Sequence, residues 1–290
     1  MADFRTVPFL PTAFHDDATL DLDGQAALAA TVAAAGVDGV NVLGLTTGEV
    51  TSLRVEEIGD VVAATRRGAA GLPVGVGLGP PGAGTLALAR AAAAAGADLL
   101  VAPVPAGSDP LAPLGEVAEL GLPLWLHHHP AVTGARRSGD ELAALATEIG
   151  AAVVVVEEAP PGDLLAVLAG GASAGVGGLA ALFLPEEVEA GAVGTVAGCA
   201  VPERLVEVVA RYRAEDAGAA WDAYLELLPW LRLEVGSPGL RVRKEAWRQR
   251  GVLSSGRVRE GAPLAAASKL AITRRLRQVG ADVSAPYPGS

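Results

Sequence analysis

The chain has 290 residues and a formal net charge of −11, from 33 acidic and 22 basic side chains. Nucleic acids and anionic lipids are both bound through clustered lysine and arginine, so we expect neither nucleic acid nor membrane as a partner. A single cysteine, Cys199, excludes a disulfide within one chain, and only two lysines are present, Lys244 and Lys269.

The first ten residues contain Asp3 and Arg5 and lack an apolar core, which argues against a signal peptide. One uncharged stretch, residues 164–185, is 22 residues long, which is enough to span a bilayer. Its five glycines and its terminal proline favour a buried helix, turn and strand instead. We therefore expect a cytoplasmic protein.

Eight short apolar runs follow one another along the first 200 residues, separated by alanine-rich helical segments. Runs that are apolar on both faces are typical of parallel strands covered by helices. Eight such units indicate an α/β protein with the (β/α)8 TIM-barrel fold. The predicted strands are residues 7–10, 39–43, 73–77, 99–102, 124–128, 152–157, 174–177 and 194–198.

The strand runs stop near residue 201, and four helices are predicted after it, at residues 202–213, 215–233, 240–250 and 263–279. We expect residues 1–200 to form the barrel and residues 201–290 to form a helical domain packed on it. A doubly wound sheet is the alternative architecture. Its glycine-rich phosphate loop is not matched, because the glycine-dense run 75–79 is followed by Pro80 and Pro81 rather than by a helix.

Active sites of such barrels lie at the carboxyl ends of the strands, and the residues there form a familiar series. The run 44–49 reads Gly-Leu-Thr-Thr-Gly-Glu after the second strand, and the run 11–14 reads Pro-Thr-Ala-Phe after the first. The eighth strand is followed by Val-Pro-Glu at 201–203, and Arg-Lys-Glu-Ala occupies 243–246. In this order, over about residues 7–260, the chain resembles the dihydrodipicolinate synthase / N-acetylneuraminate lyase family.

The resemblance implies a barrel with a C-terminal helical domain, a homo-oligomer (a dimer or a tetramer), and a lysine Schiff base with small 2-keto acids. It implies that Thr46 and Thr47 bind the substrate carboxylate, with a hydroxyl-capped turn as the alternative. It also implies that the backbone of Gly178 approaches the substrate, with a tight turn as the alternative. Glu49 is expected to support the threonine turn, and Lys244 matches a family lysine that is not the nucleophile.

Departures at the ends of three strands, the sixth, the fifth and the fourth, separate this chain from the family pattern. Glu157, in Val-Glu-Glu-Ala, occupies the position of the Schiff-base lysine. His127, which begins the run His-His-His-Pro at 127–130, replaces the catalytic tyrosine. Val132 replaces the carboxylate-binding arginine, and the loop at Val104 and Pro105 lacks a second tyrosine. A carboxylate cannot form an iminium with a ketone, so the family mechanism is not expected here, and the added apolar residues favour a more apolar substrate than pyruvate.

Residues two apart on a strand share a face, so His127 and His129 should both point into the barrel, where Glu157 should meet them. We expect these three residues to be catalytic through acid–base chemistry on a small carbonyl or carboxylate substrate, without a cofactor. The reaction would be a lyase, dehydration, cyclisation or isomerisation step. Two alternatives remain: a metal site formed by the same residues, and a non-catalytic ligand-binding or partner-binding relative with an inert pocket.

Four further residues are expected to be structural. His128 should face the helices, Glu158 should point away from the pocket, and His15 should be solvated beside two aspartates. Cys199 is expected to be a buried, unreactive thiol.

Overall fold

The computed structural model describes residues 4–82, 84–107, 109–171, 173–235 and 239–289. In these residues, eight parallel strands form one sheet in the order β1-β8-β7-β6-β5-β4-β3-β2, which confirms the predicted TIM-barrel fold. The strands are β1 Arg5–Thr6, β2 Val40–Val42, β3 Val74–Gly77, β4 Leu99–Pro103, β5 Leu124–His128, β6 Val153–Val156, β7 Ala174–Gly177 and β8 Gly194–Thr195.

Helices follow the strands and continue beyond the last one. They are α1 Leu22–Ala34, α2 Val55–Gly68, α3 Thr85–Ala94, α4 Leu111–Ala118, α5 Pro130–Thr133, α6 Gly139–Ile149, α7 Gly162–Ala169, α8 Leu184–Glu189, α9 Pro202–Arg213, α10 Ala217–Glu234, α11 Gly239–Gln249 and α12 Ala266–Gln278. None of these helices is both long enough and apolar enough to cross a membrane.

The barrel closes through the segment that follows β1. Phe9 forms a parallel bridge with Asn41, the Leu10 amide donates to the Asn41 carbonyl at 2.7 Å, and the Asn41 amide donates to the Pro8 carbonyl at 2.8 Å. The regular part of this strand is Arg5–Thr6, earlier than the predicted residues 7–10. Pro8 explains the difference, because it has no N–H to donate within a ladder.

The barrel interior is filled by a small apolar cluster that is separate from the larger core between strands and helices. Its buried members are Phe9, Leu99, Val101, Val155, Val176 and Val196. They alternate along their strands with residues that face the helices, such as Val154 and Val156. This alternation points alternate residues of β5 and β6 inward, and their last inward positions form the site described below.

The helices after β8 lie close to their predicted positions. Helix α9 completes the last strand–helix unit, and the Arg213 side chain at its end reaches back to β1, donating from Nε to the Phe4 carbonyl at 2.7 Å. Helix α10 begins after Asp216, whose side chain accepts from the Ala219 amide. The division at residues 200 and 201 stays a prediction, and we propose that the barrel layer includes α9.

Candidate active site

The end of β5 brings two imidazoles to the carboxylate of Glu157. The Glu157 amide donates to the His128 carbonyl at 2.8 Å, which fixes Glu157 one residue beyond β6. Its Oε2 lies 3.1 Å from Nε2 of His129, and its Oε1 lies 3.6 Å from Nε2 of His127. The three predicted catalytic residues therefore lie together at the carboxyl ends of the strands.

The two histidines of this cluster have different surroundings. The His127 ring stacks on Phe9, with ring centroids 6.2 Å apart and planes 15° apart, and its Nε2 makes no hydrogen bond in the described part of the chain. His129 faces an open cavity, whereas His127 lies beneath it and is not among the cavity's lining residues. His129 is therefore the imidazole that a ligand would meet first.

Burial and charge set the protonation of this pair. Burial lowers the pKa of His129, and the attraction of Glu157 for the charged form only partly offsets it. Burial acts to raise the pKa of the Glu157 carboxyl, but the two imidazoles and the Arg243 guanidinium bring that pKa below its usual value. At neutral pH the site therefore holds a neutral His129 imidazole beside an ionised Glu157 carboxylate.

Gly178 provides the space that the Glu157 side chain occupies. A Cβ atom at this position would lie 2.4 Å from Cγ of Glu157, which is well inside van der Waals contact. The residues that follow, Leu179 to Ala181, all have positive φ angles of 46°, 52° and 60°. Such a conformation is strained for non-glycine residues, and here Leu179 and Ala180 line the cavity.

The threonine loop lies on another side of the same cavity. Thr46 and Thr47 both line it, and the loop is anchored where the Thr12 hydroxyl donates to the Gly48 carbonyl at 2.6 Å. The alternative of a hydroxyl cap is not seen, because the short 3-10 turn at Val50–Ser52 follows Glu49 without a side-chain capping bond.

Lys244 supports this loop from behind. It is fully buried, its Nζ lies 2.5 Å from Oε2 of Glu49, and it lies 4.4 Å from the centroid of the Phe14 ring. Burial lowers the pKa of Lys244 to about 8, although Glu49 favours its charged form. Lys244 does not line the cavity, and its contact with Glu49 lies outside it.

Two residues of the site were not singled out by the sequence pattern. Arg243 and Glu234 come from α11 and α10, and both line the cavity. Arg243 Nε lies 3.6 Å from Glu234 Oε2, and the Arg243 side chain is only 4% exposed. Burial raises the pKa of Glu234, against the opposing effect of Arg243. The one sequence feature that could have identified Arg243 as a site residue is its position beside Lys244, which matches a family lysine. Nothing in the sequence placed Arg243 at the mouth of the barrel.

The cavity has a volume of about 520 Å³ and a mixed lining. Its polar residues are Thr46, Thr47, His129, Glu157, Glu234 and Arg243. Most of the rest is apolar and includes Val132, in agreement with the expectation of an apolar contribution from that residue. Val104, in contrast, is completely buried and is not among the lining residues.

The remaining sequence-selected residues lie away from the cavity. His128 is fully buried, with Nε2 2.9 Å from Oε2 of Glu158, and Arg136 donates to the other oxygen of that carboxylate at 2.7 Å. His15 is exposed and lies 3.8 Å from Asp21. Cys199 is buried, and burial raises the pKa of its thiol well above the usual value, which makes it a poor nucleophile.

Metal binding by His127, His129 and Glu157 was the alternative reading of this cluster. Over the described ranges of the chain, no group of three or more histidine, cysteine, aspartate or glutamate side chains is arranged to hold a metal ion. The metal alternative thus stays a prediction without geometric support, and the direct contact between His129 and Glu157 favours proton transfer.

Solved structures with the same fold cover nearly the whole chain. A dihydrodipicolinate synthase from Rhodopseudomonas palustris matches with a TM-score of 0.86 and 27% identity, over 95% of this chain and 97% of that one. A prophage protein of the dihydrodipicolinic acid synthase family from E. coli K12, solved in complex with pyruvate, matches with a TM-score of 0.84 and 25% identity, over 96% and 98% of the two chains. A dihydrodipicolinate synthase from Agrobacterium tumefaciens matches with a TM-score of 0.85 and 22% identity, over 96% and 98%.

The sequence comparisons agree with this result where they give a match. No curated protein sequence matches the chain significantly. The family model described as "Dihydrodipicolinate synthetase family" matches residues 4–159, which is more than half of the chain and includes β1 to β6. This protein therefore belongs to the dihydrodipicolinate synthetase family.

Proposed function

We propose that this family member is a lyase-like enzyme that moves protons on a small carbonyl substrate with His129 and Glu157 and without a lysine Schiff base. The observation that carries the proposal is the 3.1 Å contact between Glu157 Oε2 and His129 Nε2 at the wall of an open cavity. A collapsed pocket would have favoured a non-catalytic relative.

The chemistry follows from the protonation of the pair. An ionised Glu157 holds the neutral imidazole of His129 in the tautomer that carries its proton on Nε2, and this leaves Nδ1 basic. Nδ1 of His129 is itself buried and makes no hydrogen bond in the described structure, so the base that a substrate in the cavity meets is the Glu157 carboxylate, which lines the cavity and lies 3.1 Å from Nε2 of His129. A C–H group on the carbon next to a carbonyl can lose its proton to such a base. The same base can then return the proton to a different atom of the substrate. Dehydration and isomerisation of a carbonyl compound begin in this way, and in an aldol-type cleavage the base removes a hydroxyl proton instead.

The positions of the two lysines, both outside the cavity, support a mechanism without an iminium. Lys244 is buried against Glu49, and Lys269 extends from α12 with Nζ 3.9 Å from Glu245 Oε2. Neither lysine is among the residues that line the cavity. A substrate ketone in the cavity would therefore meet carboxylate, imidazole and guanidinium groups.

Deuterium exchange tests the proton transfer without requiring the natural substrate. We expect the protein to catalyse exchange of the C3 protons of a 2-keto acid such as 2-oxobutyrate in D2O, followed by proton NMR. Glu157→Gln should lower this exchange rate about 100-fold or more, because removing a positioned acid–base group has an effect of this size. Glu158→Gln is the matched control, since Glu158 contacts His128 and Arg136 outside the cavity. Equal exchange by the wild type and Glu157→Gln would contradict the proposal.

Borohydride trapping tests the absence of a Schiff base separately. After incubation with pyruvate or 2-oxobutyrate and borohydride, we expect the intact mass of the protein to be unchanged. A stable adduct on either lysine would contradict the proposal that Glu157 replaces the Schiff-base lysine.

The homo-oligomer implied by the family resemblance also stays a prediction. Light scattering on the protein as it elutes from a size-exclusion column would measure its mass.

A further inference from the structure

Arg243 is a buried cation whose hydrogen-bonding capacity is unused. Its side chain is 4% exposed, and its Nε and Nη1 atoms have no hydrogen-bond partner among the described residues. A guanidinium carries five N–H donors, and leaving such donors unpaired in a buried place is costly. This free-energy cost is removed if a hydrogen-bond acceptor of a bound ligand reaches these donors from the cavity that Arg243 lines.

The surroundings of Arg243 hold it in place without satisfying it. Glu234 Oε2 approaches the Nε side at 3.6 Å, which is an ion-pair distance but too long for a hydrogen bond. The other oxygen of Glu234 is already occupied, since it accepts from the Ala200 amide at 2.8 Å and from Nε1 of Trp230 at 3.0 Å. Glu234 therefore orients the guanidinium without pairing with Nη1, which is buried and has no partner among the described residues.

Gly198 lies beside Nη1 of Arg243, and both residues line the cavity. A Cβ atom on Gly198 would lie 3.5 Å from Nη1 of Arg243, in ordinary contact, and 2.2 Å from the Phe9 carbonyl oxygen, which is too close. The glycine therefore lets the barrel end come near the guanidinium without a side chain between them. Nη1 is thus placed where the strand ends meet the cavity.

The rest of the cavity wall indicates what kind of ligand could place an anionic group against Arg243. Beyond the polar groups, the wall is formed by apolar residues from several strand ends and from the C-terminal helices. These residues are Phe9, Ala131, Val132, Leu179, Ala180, Val196, Ala197, Val235 and Leu240. With a volume of about 520 Å³, the cavity exceeds what a three-carbon acid fills and offers apolar surface to a longer chain.

We infer that Arg243 is a carboxylate anchor, and that the cavity binds a carboxylic acid with a branched or extended apolar side chain. A planar carboxylate pairs with the free edge of a guanidinium through two parallel hydrogen bonds. The apolar part of the ligand then lies against Val132, Leu179 and Leu240. The inference rests on the proposed function only in taking this cavity as the substrate site, and it concerns binding rather than turnover.

Calorimetric binding to three probes tests the inference on the whole protein. The probes are ketoleucine, its neutral counterpart methyl isobutyl ketone, in which a methyl group replaces the carboxylate, and pyruvate, which lacks the branched side chain. The wild type should bind ketoleucine about tenfold or more tightly than either other probe, since each lacks one of the two interactions. Equal affinity for ketoleucine and the ketone, or for ketoleucine and pyruvate, would overturn the inference, as would no binding of ketoleucine.

Two arginine variants on the same helix locate the anchor. Arg243→Met should remove the preference for ketoleucine over methyl isobutyl ketone and leave ketone binding unchanged. Arg241→Met is the matched control and should keep the preference, because the Arg241 side chain donates to the Ala262 carbonyl away from this cavity. Persistence of the preference in Arg243→Met would overturn the inference.

A third variant keeps the inference testable if Arg243→Met fails to fold. Val132 is 45% exposed at the cavity wall, so Val132→Glu adds a negative charge without disturbing the core. It should bind ketoleucine about threefold more weakly than Val132→Gln does, whereas the two variants should bind the ketone equally. Equal ketoleucine binding by these two variants would contradict the role of Arg243 as an anchor.

The binding inference and the proposed function fail separately. A wild-type protein that prefers ketoleucine but catalyses no deuterium exchange would contradict the proposed function and leave the binding inference intact.

Discussion

At the scale of single residues, Gly178 shows how the site depends on an absent side chain. Glu157 fits against the bare backbone of Gly178, where a Cβ atom would lie 2.4 Å from its Cγ. Gly178→Ala should therefore displace Glu157 from His129 and lower the deuterium-exchange rate about 100-fold, since small misplacements of catalytic groups have effects of this size. Gly115→Ala is the control, because its added methyl group meets open space. Unchanged exchange in Gly178→Ala would show that the position of Glu157 does not limit the reaction.

Glu187, on α8, is a residue whose charge is unfavourable for folding. It is completely buried, neither carboxylate oxygen has a side-chain or backbone donor within hydrogen-bond geometry in the described structure, and its Oε2 occupies the place where a Cβ on Gly177 would lie. Burial raises the pKa of Glu187 well above its usual 4.5, and the negative charge of Glu157 adds to the effect. The carboxyl is thus kept in its neutral form over part of the pH range in which the unfolded chain ionises it.

The stability of a Glu187→Gln variant should depend on pH in a defined direction. The unfolded state releases the Glu187 proton near its usual pKa and the folded state only at higher pH, so the free energy of unfolding of the wild type falls as pH rises above about 4.5. Glutamine does not titrate, and the variant should be more stable at pH 7 by about 1–3 kcal/mol, with the difference shrinking toward pH 4. Urea unfolding at several pH values would measure this, with Glu189→Gln as control, because Glu189 is exposed on the same helix and does not contribute to the pKa of Glu187. A difference independent of pH would contradict the assignment.

At the scale of elements, helix α11 both lines the cavity, through Arg243, and stabilises the threonine loop, through Lys244. Lys244 contacts Glu49 Oε2, and the Arg259 amide donates to Glu49 Oε1 at 2.7 Å. The unfolded chain keeps the lysine protonated to about pH 10.5, whereas the folded protein releases the proton near pH 8. The free energy of unfolding therefore gains a contribution as pH rises between these two values, because the unfolded state then binds more protons.

Lys244→Met should abolish this contribution. At pH 7 the variant should be destabilised by about 3–5 kcal/mol, because the buried Glu49 carboxylate loses its partner. Relative to the wild type, the deficit should grow between pH 8 and pH 10, and chemical unfolding at both pH values would measure it. Lys269→Met is the control, since that lysine is less buried and lies 3.9 Å from its nearest carboxylate. Identical deficits at the two pH values would contradict a lowered pKa for Lys244.

The elements themselves could be predicted because each carries a local signal. Buried parallel strands such as Val153–Val156 are apolar on both faces, and glycines mark the helix ends before them. The side chains of His127, His129 and Glu157 could be placed on one face by strand periodicity and by the family resemblance. Arg243 could not, since its role arises from the contact of α11 with strand ends far away in the chain. No local pattern encodes the crossing of two such elements.

At the scale of the whole molecule, a short Gly-X-Asp sequence occurs twice before a strand, at residues 36–38 before β2 and at residues 96–98 before β4. Asp98 Oδ2 accepts from the Val74 amide at 2.8 Å and pairs with Arg66 at 2.7 Å, which ties neighbouring units together. Asp38 Oδ2 likewise accepts from the Thr6 amide at 2.7 Å, but its arginine, at 2.6 Å, is Arg213 from the end of α9. Both copies of the motif thus join a strand to the strand before it, and only the Asp38 copy also reaches the last strand–helix unit, through Arg213.

This difference predicts unequal consequences of the same substitution. Asp38→Asn and Asp98→Asn should each lower the free energy of unfolding by about 1–3 kcal/mol, because both lose a charge-assisted hydrogen bond. Only Asp38→Asn should loosen the closure of the barrel, where the amides of Leu10 and Asn41 donate to carbonyls across the seam. Hydrogen exchange measured by mass spectrometry should therefore show faster exchange at these two amides in Asp38→Asn and native protection in Asp98→Asn. Equal protection of the seam in both variants would mean that the barrel is closed by its strand ladder and interior packing, without help from the link between Asp38 and Arg213.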